Sequence, residues 1–303
     1  SLNSSIRIDV VPTGFWSVTS VIVGGESLID GFVMFSTISR GGRIFSYART
    51  LQDDGSYVYE KCFGGHSIST RNLTFEAWCG DSIDRTYVDE ENYRISGSVV
   101  VTDDFASGTY SVYESSGALL GQADVELERN YLHSDMGLPV PKNPAGVYVG
   151  SGGWWPGASN SSRDRILTID DLGNITSSPT DGGCVIEGSV AQSSVELDER
   201  NDFVRRGIFD GVPLSQMGCF DEGNFGSGNR NISAGEGILE LYPLWNDGFA
   251  FDDEALWIYM TDSANSYTGI PSVHIYDRIC TATGTPTTIA QEWFPNLTDL
   301  CSG

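Results

Sequence analysis

Hydrophobic and polar residues alternate along most of this chain in short runs. Arg43-Ile44-Phe45-Ser46-Tyr47, Ser56-Tyr57-Val58-Tyr59-Glu60 and Tyr93-Arg94-Ile95-Ser96-Gly97-Ser98-Val99 show the pattern in the first half. Arg165-Ile166-Leu167-Thr168-Ile169, Gly237-Ile238-Leu239-Glu240-Leu241 and Ala255-Leu256-Trp257-Ile258-Tyr259 show it in the second. A repeat of two sends successive side chains to opposite faces of a strand, so each run predicts a β-strand with one buried face. Asp53-Asp54-Gly55 and Asp170-Asp171-Leu172-Gly173-Asn174 stand between such runs and have the chemistry of hairpin turns. Helical periodicity is nearly absent; Ile289-Ala290-Gln291-Glu292-Trp293-Phe294 predicts one short helix near the C-terminus. Strands this numerous, at this spacing, predict an all-β protein of small antiparallel barrels or sandwiches.

One segment interrupts the pattern. Residues 131–145 contain Pro139, Pro141 and Pro144 without periodicity, the chemistry of a linker. The expected organisation is an N-terminal extension over 1–11, a β domain over 12–130, the linker, a second β domain over 146–283 and a tail over 284–303. The two domains half-repeat. Gly14-Phe15-Trp16-Ser17 opens the first and Gly146-Val147-Tyr148-Val149-Gly150 the second; Ile95-Ser96-Gly97-Ser98-Val99 is echoed by Ile186-Glu187-Gly188-Ser189-Val190. Trp16, Trp78, Trp245 and Trp257 lie in strand-like surroundings and are expected in the core.

The six cysteines fall as three sequence-local pairs, Cys62 with Cys79, Cys184 with Cys219 and Cys280 with Cys301. An even count with no Cys-x-x-Cys and only three histidines reads as three disulfides, not as a metal or redox centre. Disulfides place the chain in an oxidising compartment: periplasm, outer-membrane surface or medium. Six Asn-x-Ser/Thr sequons, at Asn3, Asn72, Asn160, Asn174, Asn231 and Asn296, add the alternative of a glycosylated secreted protein. The polar opening SLNSS suits a mature N-terminus, or the tether after a lipid anchor N-terminal to Ser1. No run of about 20 apolar residues exists for a transmembrane helix. Asp and Glu total 41 against 17 Lys and Arg, a formal charge of −24, and a field of that sign repels phosphate backbones. Nucleic acid is therefore excluded as a partner class.

Candidate chemistry is sparse. His66, His133 and His274 stand apart with no metal-binding spacing and no nucleophile elbow, so they read as structural or surface residues. With so many carboxylates, close pairs such as a glycosidase needs carry no discrimination. Asp252 and Asp253 are the weak metal candidates, as loop ligands of a structural calcium ion; no other cofactor is expected. The most unusual surface signal is Gly152-Gly153-Trp154-Trp155-Pro156-Gly157. Two tryptophans among glycines and a proline do not suit a strand interior; exposed, Trp154 and Trp155 form a platform for a sugar ring or a protein partner.

The glycine-aromatic opening, the Asp-x-x-Gly turn, Gly183-Cys184-Val185-Ile186-Glu187-Gly188, Asn201-x-Phe203 and Cys219 together resemble an uncharacterised family of bacterial envelope proteins, many of them predicted lipoproteins. The match is best over 144–230. The resemblance implies small β domains and an envelope location, and it carries over no catalytic residue. The expected function is therefore non-catalytic: an extracytoplasmic protein acting by surface interaction, as an accessory or structural subunit of an envelope or extracellular assembly. The alternative is a carbohydrate-binding module, or a carbohydrate-active hydrolase or lyase using Asp and Glu.

Overall fold

The computed structural model describes residues 14–27, 32–51, 53–55, 57–83, 93–102, 104–129, 143–150, 165–179, 185–191, 207–220, 229–243, 254–262 and 272–301. They divide into two compact units, each an eight-stranded antiparallel barrel in which consecutive strands pair and the last returns to the first. Closure leaves no sheet edge unpaired around the ring.

The first barrel consists of β1 (Gly14–Val23), β3 (Phe32–Ile38), β4 (Arg43–Leu51), β5 (Tyr57–Ser69), β6 (Asn72–Ile83), β7 (Tyr93–Val101), β8 (Phe105–Glu114) and β9 (Leu119–Arg129), with the two-residue β2 (Glu26–Ser27) hairpinned onto the end of β1. Pairing of Trp16 with Arg129 and of Val21 with Val125 closes the ring. Alternate residues point inward: Trp16, Val21, Ile38, Ile44, Leu73, Val99, Ala106, Ala123 and Val125 form one buried cluster. The Cys62–Cys79 disulfide joins facing residues of β5 and β6 on the inner side, packed with Ala77 and Ile95.

The second barrel runs β10 (Gly146–Gly150), β11 (Arg165–Ile169), β12 (Asn174–Pro179), β13 (Val185–Val190), β14 (Gly207–Phe220), β15 (Asn229–Pro243), β16 (Glu254–Asp262) and β17 (Ser272–Cys280), and β10 pairs with β17. Its inner cluster includes Tyr148, Leu167, Ile169, Phe209, Leu214, Leu239, Leu256, Ile258 and Tyr276. The β11–β12 hairpin shows how sequence fixes a turn. Asp170 Oδ1 accepts the backbone N–H groups of Leu172 and Asn174 at 2.9 and 2.8 Å, and Oδ2 accepts the Asn174 amide at 2.8 Å. Those bonds, led by the one from the Asn174 side chain, hold the Asp170 carboxyl below the usual carboxylate range. Gly173 takes φ +85°, which a Cβ disfavours.

After β17 the chain forms the short helix α1 (Thr288–Trp293) and a 3-10 helix (Pro295–Cys301). The Thr287 hydroxyl caps α1 by accepting the Ala290 N–H at 3.2 Å. Ile289, Ala290 and Phe294 pack on Val149 and Ile279, and the Cys280–Cys301 bridge fastens the tail.

The expected all-β pair of barrels is what the structure shows. Two of the three expected disulfides are formed; the third, Cys184–Cys219, depends on Cys184, which lies outside the described residues. Two sequence expectations need correction. The Ile-x-Gly-Ser-Val echo is not a structural repeat, because it falls on the sixth strand of the first barrel, β7, and on the fourth of the second, β13. Of the tryptophans, Trp16 is in the core, whereas Trp78 and Trp257 are half-buried on outer walls, opposite Phe63 and Ile275; Trp245 lies outside the described residues. Alternation had assigned them to strands correctly and could not say which face turned in.

The glycine-aromatic opening, by contrast, is a true repeat with a physical cause. Gly14 and Gly146 begin the first strand of each barrel at φ +149° and +150°. Two residues on, Trp16 and Tyr148 enter the lumen, and an arginine from the last strand lies over each ring: Arg129 at 4.7 Å from the Trp16 centroid, Arg278 at 5.8 Å from that of Tyr148. Arg278 also donates to Glu254 Oε2 at 2.6 Å and to the carbonyls of Asn143 and Ala145, so it ties the approach to the barrel, β16 and β17 together. One end of each barrel is filled by the same device.

Candidate functional site

Away from the Tyr148–Arg278 end, the second barrel turns polar inside. Along β17, Ser272, His274, Tyr276 and Arg278 share the inner face, since Tyr276 belongs to the lumen cluster and its inward neighbours lie two residues apart. Gln216 of β14 sits opposite the lumenal Ile186 and Ile232. His274 Nε2–H donates to Gln216 Oε1 at 2.8 Å, and Gln216 Nε2 donates to Ser272 Oγ at 3.2 Å. Strands β14 and β17 are separated in the sheet by β15 and β16, so these bonds cross the lumen. All three side chains are buried at 0% exposure, in a space whose other walls are Ile186, Ile232, Ile258 and Met260.

Arg165, at the start of β11, completes the group. Gly150 pairs with Tyr276 on one side and, by the register Val149 with Ile166, stands beside Arg165 on the other. Having no side chain, Gly150 leaves the way open, and the Arg165 guanidinium reaches over the Tyr276 ring at 5.7 Å from its centroid. Burial works against the Arg165 charge and lowers its pKa, with Tyr276 acting in the opposite sense. Burial likewise raises the Tyr276 hydroxyl. Among the described residues β12 and β13 pair at Asn174–Ser189 and Ile175–Gly188, and beyond them Ser177 Oγ accepts the Ile186 N–H at 2.6 Å.

The arrangement gathers an amide, a hydroxyl, an imidazole, a guanidinium and a phenol ring among apolar walls. Gln216 lies between Ser272 and His274, bonded to both, and an amide neither takes up nor releases a proton. The first barrel provides a contrast within the same chain. Its lumen holds the Cys62–Cys79 bridge, packed by Phe75, Tyr93, Tyr110 and Val112, and burial followed by the charge of Glu60 pushes the Tyr110 pKa up to about 12.

None of these five lumenal residues stood out in the sequence. The candidates that did, Trp154, Trp155, Asp252 and Asp253, lie outside the described residues, as does His133. His66, read as structural or surface, is half-buried, with Nε2 within 3.0 Å of the Ser39 carbonyl. His274, read in the same way, is fully buried, with Nε2 bonded to Gln216 Oε1. The available signal was the spacing Ser272-x-His274-x-Tyr276-x-Arg278, which alternation reads as a solvent face. Among the described residues no three His, Cys, Asp or Glu side chains come together to hold a metal ion.

Fold and site together define a protein of two tandem up-and-down barrels, the second lined by a polar cluster. No family model matches the chain and no curated protein matches it.

Proposed function

We propose that this is a non-catalytic, extracytoplasmic binding protein whose second barrel takes a small ligand into its lumen. The observation that carries the reading is the convergence of Arg165, Gln216, Ser272, His274 and Tyr276 inside one end of a barrel whose other end is filled. Eight-stranded barrels have interiors that side chains just fill or that hold one small ligand. Filling needs only apolar residues, and each buried polar group costs stability unless fully bonded. The polar cluster set in this otherwise apolar lumen is therefore read as a recognition feature. Two disulfides support maturation in an oxidising environment. Among the described residues no helix is long and apolar enough to cross a membrane. The outer wall of β8 and β9 exposes Ser107, Thr109, Asp124, Glu126 and Glu128, a surface suited to water.

The test separates binding from architecture. In the double variant Gln216→Met/His274→Leu, apolar groups replace a hydrogen-bonded pair, an exchange that is commonly neutral or stabilising. Thermal unfolding should keep or raise its midpoint, while ligands found by a small-molecule thermal-shift screen of the native protein should no longer stabilise the variant. Collapse of the fold, with ligand contacts mapping elsewhere on the native protein, would show the cluster to be structural.

A further inference from the structure

The outer walls of the barrels, and not their lumens, carry a second chemistry. We propose that Asn72 on the first barrel and Asn231 on the second each bear an N-linked oligosaccharide. Its first sugar rests on Val100 and Phe105 in one case and on Met217 in the other. This rests on the extracytoplasmic placement and is independent of any lumenal ligand. The acceptor signal is Asn-x-Ser/Thr, met within strands by Asn72-Leu73-Thr74 on β6 and Asn231-Ile232-Ser233 on β15. On a strand, the period of two puts the asparagine and the hydroxyl on one face and the middle residue on the other. Leu73 and Ile232 are buried in the lumenal clusters, while Asn72, Thr74, Asn231 and Ser233 are all exposed. Asn72 opens β6 directly after the two-residue turn Thr70-Arg71, at the end of a hairpin. Asn231 is oriented for the modification: its Oδ1 accepts the Gly218 N–H at 2.8 Å, and the sugar bonds to Nδ2, so that hydrogen bond survives. Asn174 has the same motif in a different setting, because its Nδ2 donates to Asp170 Oδ2 at 2.8 Å inside the turn, where a sugar would crowd the carboxylate.

Apolar side chains left exposed beside both asparagines are an independent observation. Val100, 53% exposed, stands directly opposite Asn72 on β7. Phe105, 58% exposed, is its diagonal neighbour on β8, two residues from the Ser107 with which Val100 pairs. Met217, 51% exposed, follows the inward-facing Gln216 and so shares the outer wall with Asn231. The C–H face of a sugar ring packs on side chains of this kind, and an N-linked oligosaccharide is a bulky, solubilising surface group.

Transfer takes the oligosaccharide from a lipid diphosphate donor. The bond from its anomeric carbon to the phosphate oxygen breaks, a bond to the asparagine Nδ2 forms, the amide gives up one proton and the lipid diphosphate leaves. The test uses the intact, disulfide-bonded chain recovered from its source. Peptide N-glycosidase converts a sugar-bearing asparagine to aspartate, and in heavy-oxygen water that aspartate is isotopically marked. Treatment should lower the intact mass by at least two oligosaccharides, and peptide mapping should find the mark at Asn72 and Asn231. NMR of the glycosylated protein should show contacts from the first sugar to the Val100 and Met217 methyl groups. Lack of the mark at either asparagine overturns the assignment at that site, and marks without sugar-to-methyl contacts overturn the packing. No mark and no loss of mass, with both disulfides formed, overturns the whole proposal and leaves the oxidising compartment standing.

Discussion

A Cβ built on Gly146 would lie 2.3 Å from the Cys280 carbonyl oxygen, and the residue's φ of +150° is one that side chains disfavour. Gly14 has the same φ, but its nearest neighbours are 3.9 Å away. The pair separates two costs that usually occur together. Gly14→Ala carries backbone strain alone, about 1–2 kcal/mol, whereas Gly146→Ala adds a clash with backbone that cannot move aside, for a total of about 3 kcal/mol or more. Urea unfolding should show the larger midpoint shift for Gly146→Ala. Equal shifts would mean that the carbonyl of Cys280 relaxes. Tyrosines supply a pH test at the same scale. Tyr110 is raised from 10.0 to about 12, and Tyr148 and Tyr276 are raised in the same direction, each chiefly by burial. The folded state then holds protons that the unfolded chain releases. Their contribution to stability is complete below the unfolded value and is lost as pH rises through the folded one, so for Tyr110 stability should decline between pH 10.0 and about 12. Absorbance titration of phenolate should show this group ionising late, together with unfolding; full ionisation near pH 10.0 in the folded protein would refute it.

At the scale of elements, the C-terminal tail is an appendage held twice. Apolar packing of Ile289 and Phe294 on Val149 and Ile279 supplies one hold, and the Cys280–Cys301 bridge, closing a separation of 21 residues, supplies the other. The bridge contributes about 3 kcal/mol on the chain-entropy view. Cys280→Ser/Cys301→Ser should leave the barrel's far-ultraviolet circular dichroism intact, while limited proteolysis cuts the tail several-fold faster. Global loss of β signal would show instead that α1 is needed to close β10 on β17. The strands and the turn at Asp170 were legible beforehand, because alternation and turn chemistry are local. The lumenal site was not: Gln216 and His274 are 58 residues apart, on strands that are not sheet neighbours. A period of two also leaves the choice of face open. On β17 every residue from Ser272 to Cys280 is buried, so neither face reads as the outer one.

For the whole molecule, the two barrels share a closing device and differ in what fills them. Trp16 under Arg129 and Tyr148 under Arg278 occupy equivalent first and last strands. The bridge Cys62–Cys79 joins the fourth and fifth strands of the first barrel; in the second, Cys219 lies on the fifth strand and Cys184 directly precedes the fourth. The opening glycine and aromatic were visible in the sequence as a repeat, while their arginine partners, more than a hundred residues away, were not. What the amino-acid sequence settled alone was local: strands from alternation, hairpins from Asp, Asn and Gly, disulfides from sequence-local cysteine pairs, and an acidic composition. Closure decided the rest. Only when β10 meets β17 does the face bearing Ser272, His274 and Tyr276 become an interior, and only there do Gln216 and Arg165 come within reach of them. Which face of a strand becomes a lumen depends on every strand in the ring, and no single segment encodes it.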